Sequence, residues 1–373
     1  MSICLLLSLN TALAAPPKLT PAVPSIIARA YFIQDHNSGY VIAEKRADER
    51  MEPASLTKLM TAYVVFSELE SGSIQLSDQV LVSEKAWRMP GSRMFIEVNK
   101  EVSLENLLKG LIIQSGNDAS VALAEHVAGS EDAFAALMNQ HAQALGMTGT
   151  HFVNSAGLPD KDHYTTARDM ARLANALIRQ FPDHYQWYST REFTFNGITQ
   201  YNRNKLLWRD KSVDGIKTGF TDSAGYCLVT SAQRNGMRLV SVVLGAKSEE
   251  GRAQESQKLL NYAFRFFETH RLYSANKTLS SARIWKGEVE QLPLGVSDDL
   301  YVTIPRGQYA QLASTINVKP SIVAPAVAGQ NYGTLSIKLN GEGVAERPLV
   351  ALRSVGEGGV LQRLIDEVML LLD

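Results

Sequence analysis

The period of the apolar positions changes along the chain, and each change marks an element. Ala30-Tyr31-Phe32-Ile33 and Tyr40-Val41-Ile42-Ala43 are β-rich runs around the turn cluster Asp35-His36-Asn37-Ser38-Gly39, which predicts a hairpin. Pro53-Ala54 then leads into Ser55, and a helical apolar pattern follows through Leu69. Leu104, Leu107, Leu108, Leu111 and Ile112 recur at i, i+3, i+4, i+7 and i+8, so residues 103–146 predict a mostly helical region, with further helices near 119–128 and 133–145. Residues 166–178 predict another helix, capped by Thr165 or Thr166. Residues 213–245 predict consecutive strands with a turn at Arg234-Asn235-Gly236, and residues 250–268 a closing helix. Beyond residue 270 the helical period fades. Short alternating runs such as Leu300-Tyr301-Val302-Thr303-Ile304 and Leu335-Ser336-Ile337-Lys338-Leu339 predict a small separate β-rich domain over residues 271–358. In the last segment, 359–373, Leu361, Leu364, Ile365, Val368, Leu371 and Leu372 share one helical face. That amphipathic stretch is too short to span a bilayer.

Composition adds boundaries to this picture. With 373 residues, 45% hydrophobic and 20% charged, the chain has ample material for a core. A formal net charge of −1 offers no electrostatic case for nucleic acid. Ile3-Cys4-Leu5-Leu6-Leu7-Ser8-Leu9 is an apolar run, and Ala12-Leu13-Ala14 reads as a cleavage site. Residues 1–14 are therefore expected to be a signal peptide, although a basic n-region is missing, and the protein is expected to be exported. Cys4 would leave with that leader, and Cys227 alone could form neither an intrachain disulfide nor a cysteine metal cluster. Cys227 lies in the apolar run Tyr226-Cys227-Leu228-Val229-Thr230 and reads as a buried small side chain. The seven histidines show no H-E-x-x-H and no clustered ligand spacing, so neither a metal nor another cofactor is expected.

Three short strings carry the candidate chemistry: Ser55-Leu56-Thr57-Lys58, Ser115-Gly116-Asn117 and Lys217-Thr218-Gly219. Their first residues lie 60 and then 102 positions apart. Three residues apart on a helix, Ser55 and Lys58 share a face and can meet. Ser55 would sit at the helix start, where orphan N–H groups favour developing negative charge. Serine needs a base to become a nucleophile, and lysine serves only when neutral, which a nearby like charge promotes. Ser115-Gly116-Asn117 falls where one helix ends and another begins. Lys217-Thr218-Gly219 lies in a strand, where glycine would let a substrate backbone approach. Taken singly, the first string reads more simply as an N-cap serine with a surface lysine, and the second as a cap and turn. S-x-x-K or S-x-N arises by chance about once in a chain this long, and Ser274-Ala275-Asn276 is such a decoy. The ordered triple is what carries specificity.

In order and spacing the triple resembles the S-x-x-K, S-x-N and K-T-G motifs of the penicillin-recognising serine enzymes. More narrowly, the chain resembles the low-molecular-weight D-alanyl-D-alanine carboxypeptidases, the small penicillin-binding proteins of bacteria. The resemblance implies an α+β fold: a transpeptidase-like catalytic domain over 15–270, with an antiparallel sheet flanked by helices, then the β domain and the tail helix. It implies Ser55 as nucleophile and Lys58 as its partner, with Lys217 the like charge beside it. Ser115 would relay a proton to the leaving amine, and Asn117 would hold the lysine and the substrate amide. Lys217, Thr218 and Gly219 would bind the substrate terminus, and the N–H groups of Ser55 and Phe220 would form the oxyanion hole. Many related carboxypeptidases carry a histidine where Phe220 stands.

The stretch Tyr201-Asn202-Arg203-Asn204-Lys205-Leu206-Leu207-Trp208 resembles a segment just upstream of K-T-G in the same enzymes. Arg203 is a candidate second carboxylate contact, with a surface or interdomain ion pair as the alternative. His151-Phe152-Val153-Asn154 through Gly157-Leu158 resembles the loop that borders the family's cleft. The reaction implied is removal of the terminal D-alanine from a peptidoglycan stem peptide, with β-lactams as covalent inhibitors. A class A β-lactamase needs a glutamate between the second and third motifs, and residues 150–172 hold Asp160, Asp162 and Asp169 but no glutamate. A D,D-endopeptidase generally lacks the β domain, and an idle wall-binding scaffold would not need all three motifs. The expected location is the periplasm. Residues 360–373 carry Arg363 against Asp366, Glu367 and Asp373, so anionic lipid should repel the polar face and inner-membrane attachment should be weak at most.

Overall fold

A computed structural model describes residues 20–371; the expected leader, residues 1–14 with Cys4, and Leu372 and Asp373 of the tail lie outside these. The centre of the molecule is an antiparallel sheet. Its strands are β1 (Ala30–Asp35), β2 (Val41–Lys45), β3 (Val213–Thr221), β4 (Gly225–Arg234) and β5 (Met237–Ala246), in the order β2-β1-β5-β4-β3. Both faces are covered, which explains the near-continuous apolar runs of these strands. Successive side chains go to opposite faces. Ala30 and Phe32 of β1, with Val240, Val242 and Leu244 of β5, enter the core beneath the main helical layer. Tyr31 and Ile33, with Leu239 and Val243, enter a second core under helix α5 (Glu249–Phe266).

The helical layer holds α1 (Thr57–Ser71), α2 (Asn117–Ala128), α3 (Glu131–Ala144) and α4 (Ala167–Gln180). Every residue of α1 from Thr57 to Phe66 is buried, so this helix is surrounded by protein rather than amphipathic. It stops at Gly72, in the left-handed conformation. Thr166 caps α4, its hydroxyl accepting from the Asp169 N–H.

The chain then runs from α5 directly into a β-rich unit. Strand β6 (Phe267–Tyr273) pairs with β9 (Leu300–Pro305). A six-stranded sheet follows, made of β7 (Ser280–Trp285), β8 (Gln291–Gly295), β10 (Leu312–Val318), β11 (Ile322–Val323), β12 (Asn331–Leu339) and β13 (Glu342–Ala351), in the order β10-β12-β13-β8-β7-β11. A partly buried polar relay joins the two units. The Asp35 carboxylate accepts from the Ser38 N–H and the Thr269 hydroxyl, and Thr269 meets Thr303, which meets Ser38.

The final helix α6 (Val360–Leu370) is amphipathic as expected, but it docks by its polar side. Asp366 is 3% exposed and accepts the Lys286 N–H at 2.6 Å, while Glu367 pairs with the Lys286 ammonium. Leu361, Leu364 and Val368 face outward. This corrects the electrostatic argument from sequence: of the three acids expected to repel lipid, Asp366 and Glu367 are occupied by the β domain, and Asp373 lies outside the described residues. No helix among the described residues is long and apolar enough to cross a membrane.

Candidate active site

Ser55 lies in a short 3-10 turn, Ala54–Leu56, that leads into α1. Its N–H is in the first turn and has no intrahelical acceptor. Lys58, one turn on, points its amine back at the Ser55 hydroxyl, Nζ to Oγ 3.1 Å. The same Nζ donates to Asn117 Oδ1 at 2.7 Å and to the Ala156 carbonyl at 2.5 Å. Lys58 is 1% exposed. Burial first, and the Arg203 guanidinium second, push its pKa down to about 7 against the opposing pull of Asp118. The like-charge contact between Lys58 and Lys217 expected from sequence is present, and Arg203 adds a second like charge beside Lys58. Lys217 itself is held well below the ordinary lysine range, by burial first and then by Lys58, Arg203 and Arg252.

These contacts settle what a neutral Lys58 can do. A neutral amine has two hydrogens and one lone pair. Asn117 Oδ1 and the Ala156 carbonyl can only accept, so they take both hydrogens and leave the lone pair toward Ser55 Oγ. The serine proton then has an acceptor.

The second string is a helix joint. A helix over Leu104–Lys109 widens into a π turn over Gly110–Gln114, Ser115 adopts a left-handed conformation, and α2 begins at Asn117. The joint turns two polar side chains into the cleft. Ser115 Oγ is buried and makes no hydrogen bond to another described residue. Asn117 accepts from Lys58 and donates Nδ2 to the Pro90 carbonyl at 2.6 Å, which fixes the amide orientation. Asp118 accepts from the N–H groups of Met94, Phe95 and Ile96 and so pins the loop carrying Gly91 and Ser92, which line the cleft. Sequence reading missed Asp118, Gly91 and Ser92. Their only signal was an acid directly after the second motif and a Pro-Gly-Ser turn.

The third string lies on β3, the sheet edge that borders the cleft. Thr218 faces Leu228 across the strand pair and Phe220 faces Tyr226, so both side chains lie on the α5 face. Lys217 and Gly219 lie on the other face. A side chain on Gly219 would meet the Pro53 carbonyl at 3.0 Å and Ala54 at 3.3 Å. The backbone of Gly219 lines the cleft, yet its missing side chain makes room for the serine's own turn, not for substrate backbone. Arg252 of α5 is buried and donates to the Gly219 carbonyl at 3.1 Å. Arg203 also lines the cleft, is exposed, and has no carboxylate partner among the described residues, so the ion-pair alternative is not what the fold makes of it.

The fourth wall is the loop from His151 to Leu158. Asn154 Oδ1 accepts three successive N–H groups, from Ala156, Gly157 and Leu158. That turn aims the Ala156 carbonyl at Lys58. His163 Nδ1 accepts the Val153 N–H, and its other nitrogen meets Thr57 Oγ1 at 2.7 Å. Burial pushes His163 down to about 4, so the ring is neutral and structural. Cys227 is fully buried on β4, and its thiol is pushed up to about 11 by burial, which suits packing rather than nucleophilic chemistry. Among the described residues no group of three His, Cys, Asp or Glu side chains is arranged to hold a metal ion.

The four walls enclose a cleft of about 630 Å³. Residues 17–248 match the family model described as D-alanyl-D-alanine carboxypeptidase, and residues 267–357 match the penicillin-binding protein 5 C-terminal domain. The chain is 47% identical to the D-alanyl-D-alanine carboxypeptidase DacC of Escherichia coli K12, over 96% of this chain and 92% of that protein. Penicillin-binding protein 5 from Haemophilus influenzae superposes with a TM-score of 0.87 at 41% identity, covering 91% of this chain and 100% of that one. Penicillin-binding protein D2 from Listeria monocytogenes, solved in an ampicillin-bound form, superposes with a TM-score of 0.60 at 31% identity, over 64% of this chain and 98% of that one.

Proposed function

This chain belongs to the D-alanyl-D-alanine carboxypeptidase family and is a serine-type D-Ala-D-Ala carboxypeptidase, and from that premise we propose how its own residues carry the reaction. Ser55 Oγ attacks the carbonyl carbon of the penultimate D-alanine of a peptidoglycan stem peptide while its proton passes to Lys58 Nζ. The N–H groups of Ser55 and Phe220 receive the oxyanion, each donor contributing about 3 kcal/mol at the transition state. Ser115 relays the proton to the amine as the C–N bond breaks, and the terminal D-alanine leaves. Water then attacks the ester on Ser55, gives its proton back through Lys58, and frees the serine. One water is consumed per D-alanine released.

Lys217, Thr218 and Arg203 grip the terminal carboxylate. Burial and the neighbouring Lys58, Arg203 and Arg252 disfavour the charged form of Lys217, and an arriving carboxylate restores it. The observation that carries the assignment is the single Lys58 Nζ shared by Ser55, Asn117 and the Ala156 carbonyl. Penicillin enters by the same route and stays as an acyl group on Ser55, a reading supported by the ampicillin-bound relative.

The setting we propose is the periplasm, with Ala12-Leu13-Ala14 as the leader cleavage site. There α6, held by Asp366 and Glu367 with its apolar face outward, lies on the inner-membrane surface. The test of the chemistry is intact-protein mass spectrometry after benzylpenicillin, with D-alanine release from a stem pentapeptide as a second readout. Wild type gains one covalent adduct and releases D-alanine; Ser55→Ala does neither. A wild type that stays unmodified and releases nothing overturns the proposal.

A further inference from the structure

Beyond Thr218 the cleft is lined by two aromatic rings, Phe220 and Tyr226, beside the polar Thr221 and the Glu249–Arg252 ion pair. Phe220 is 47% exposed and stands two residues further along β3 on the same face as Thr218, about 7 Å away along the strand. Its cross-strand partner is Tyr226, and the two rings lie 4.3 Å apart between centroids, tilted by 31°. Behind them the Arg252 guanidinium lies 5.6 Å from the Tyr226 ring centre and is tied to the Gly219 carbonyl. The ring pair is thus braced from below and open toward the cleft. A solvated aromatic face beside a carboxylate grip is a surface that gains by being covered.

We propose that Phe220 and Tyr226 form a shelf for the side chain of the leaving residue, so that this enzyme removes terminal D-amino acids with larger apolar side chains as well as D-alanine. The inference rests on the reading above that Lys217, Thr218 and Arg203 hold the terminal carboxylate. With the carboxylate on Thr218, the terminal Cα lies at the edge of β3 and its side chain projects along the strand toward Phe220. The methyl of D-alanine is too short to cover the ring; a leucine or phenylalanine side chain covers it. A histidine at this position would offer a smaller, more polar ring that titrates near neutrality.

The experiment compares kcat/KM for blocked L-Lys-D-Ala peptides ending in D-Ala, D-Leu, D-Phe or D-Lys, in wild type and in Phe220→Tyr, Phe220→His and Phe220→Ala. The readout is the ratio of each peptide to the D-Ala peptide within one variant, which a general loss of activity or folding does not move. In wild type the D-Leu and D-Phe peptides are hydrolysed at rates comparable with the D-Ala peptide. Phe220→Ala lowers their ratios on the order of tenfold, the scale of a few methylenes in an apolar site. Phe220→Tyr retains the ratios, and Phe220→His lowers them. Ratios that stay constant across the variants, or a wild type that prefers D-Lys over D-Leu, overturn the shelf. A wild type that releases no D-alanine from the parent peptide overturns instead the reading of the site on which the shelf rests.

Discussion

An amine held by two carbonyl oxygens has one direction left for its lone pair, and at Lys58 that direction is Ser55. The lysine must be neutral to use it. With burial and Arg203 placing Lys58 at about 7, the neutral form dominates above that pH and the ammonium below it. The acylation rate constant by penicillin should therefore fall about tenfold per unit as pH drops below about 7, and level off above it. Arg203→Ala removes one like charge, so the acid limb should move to higher pH. The shift should be under about one unit, because Arg203 is exposed and screened by solvent. A stopped-flow acylation profile that stays flat from about pH 5 to about pH 9 rules out Lys58 as the base. The Ser55–Lys58 spacing was legible in the sequence because both residues lie on one helical turn. Arg203 as a second like charge was not, since nothing local ties it to Lys58.

At the scale of elements, the site is a set of close approaches between backbones. The 150s loop presses on the nucleophile turn at Gly157, which has φ of +83°. A Cβ there would sit 1.9 Å from the Ala54 carbonyl oxygen. Gly157→Ala therefore forces the loop away and takes the Ala156 carbonyl off Lys58. Stability should fall by about 3 kcal/mol or more, read as a drop in the thermal midpoint. Acylation by penicillin should slow even in the fraction that remains folded at low temperature. A variant with unchanged midpoint and acylation rate would mean that the loop does not position the lysine. The helix starts, the strand runs and the joint at Ser115 were all visible as changes of apolar period. The face on which Gly219 lies was not: a strand's alternation shows which residues share a face, but not what the face meets.

At the scale of the molecule, the β-rich unit is fastened to the catalytic sheet by the Asp35, Ser38, Thr269 and Thr303 relay, and it carries α6. The helix presents Leu361, 73% exposed, and Leu364, Val368 and Leu371 to the outside, while its acids face the domain. The full chain should float with anionic liposomes, and deletion of residues 360–373 should abolish flotation while leaving turnover of a soluble peptide unchanged. Flotation that survives the deletion removes the anchor. This outcome is stronger than the weak contact expected from sequence, because charge counting along a helix cannot tell which charges already have partners.

Local chemistry was decided by the sequence: the elements, the two-part organisation, the serine with its lysine, and the ordered triple that marks the family. These depend on residue type and on spacings of a few positions, where backbone geometry leaves little choice. Tertiary structure alone decided what meets across long separations. It brought Lys58, Asn117 and Ala156 to one amine, set Arg203 and Arg252 around Lys217, turned Gly219 toward the nucleophile, paired Phe220 with Tyr226, and oriented α6 by its acids. Such contacts arise from packing between segments far apart in the chain, and no local period records them.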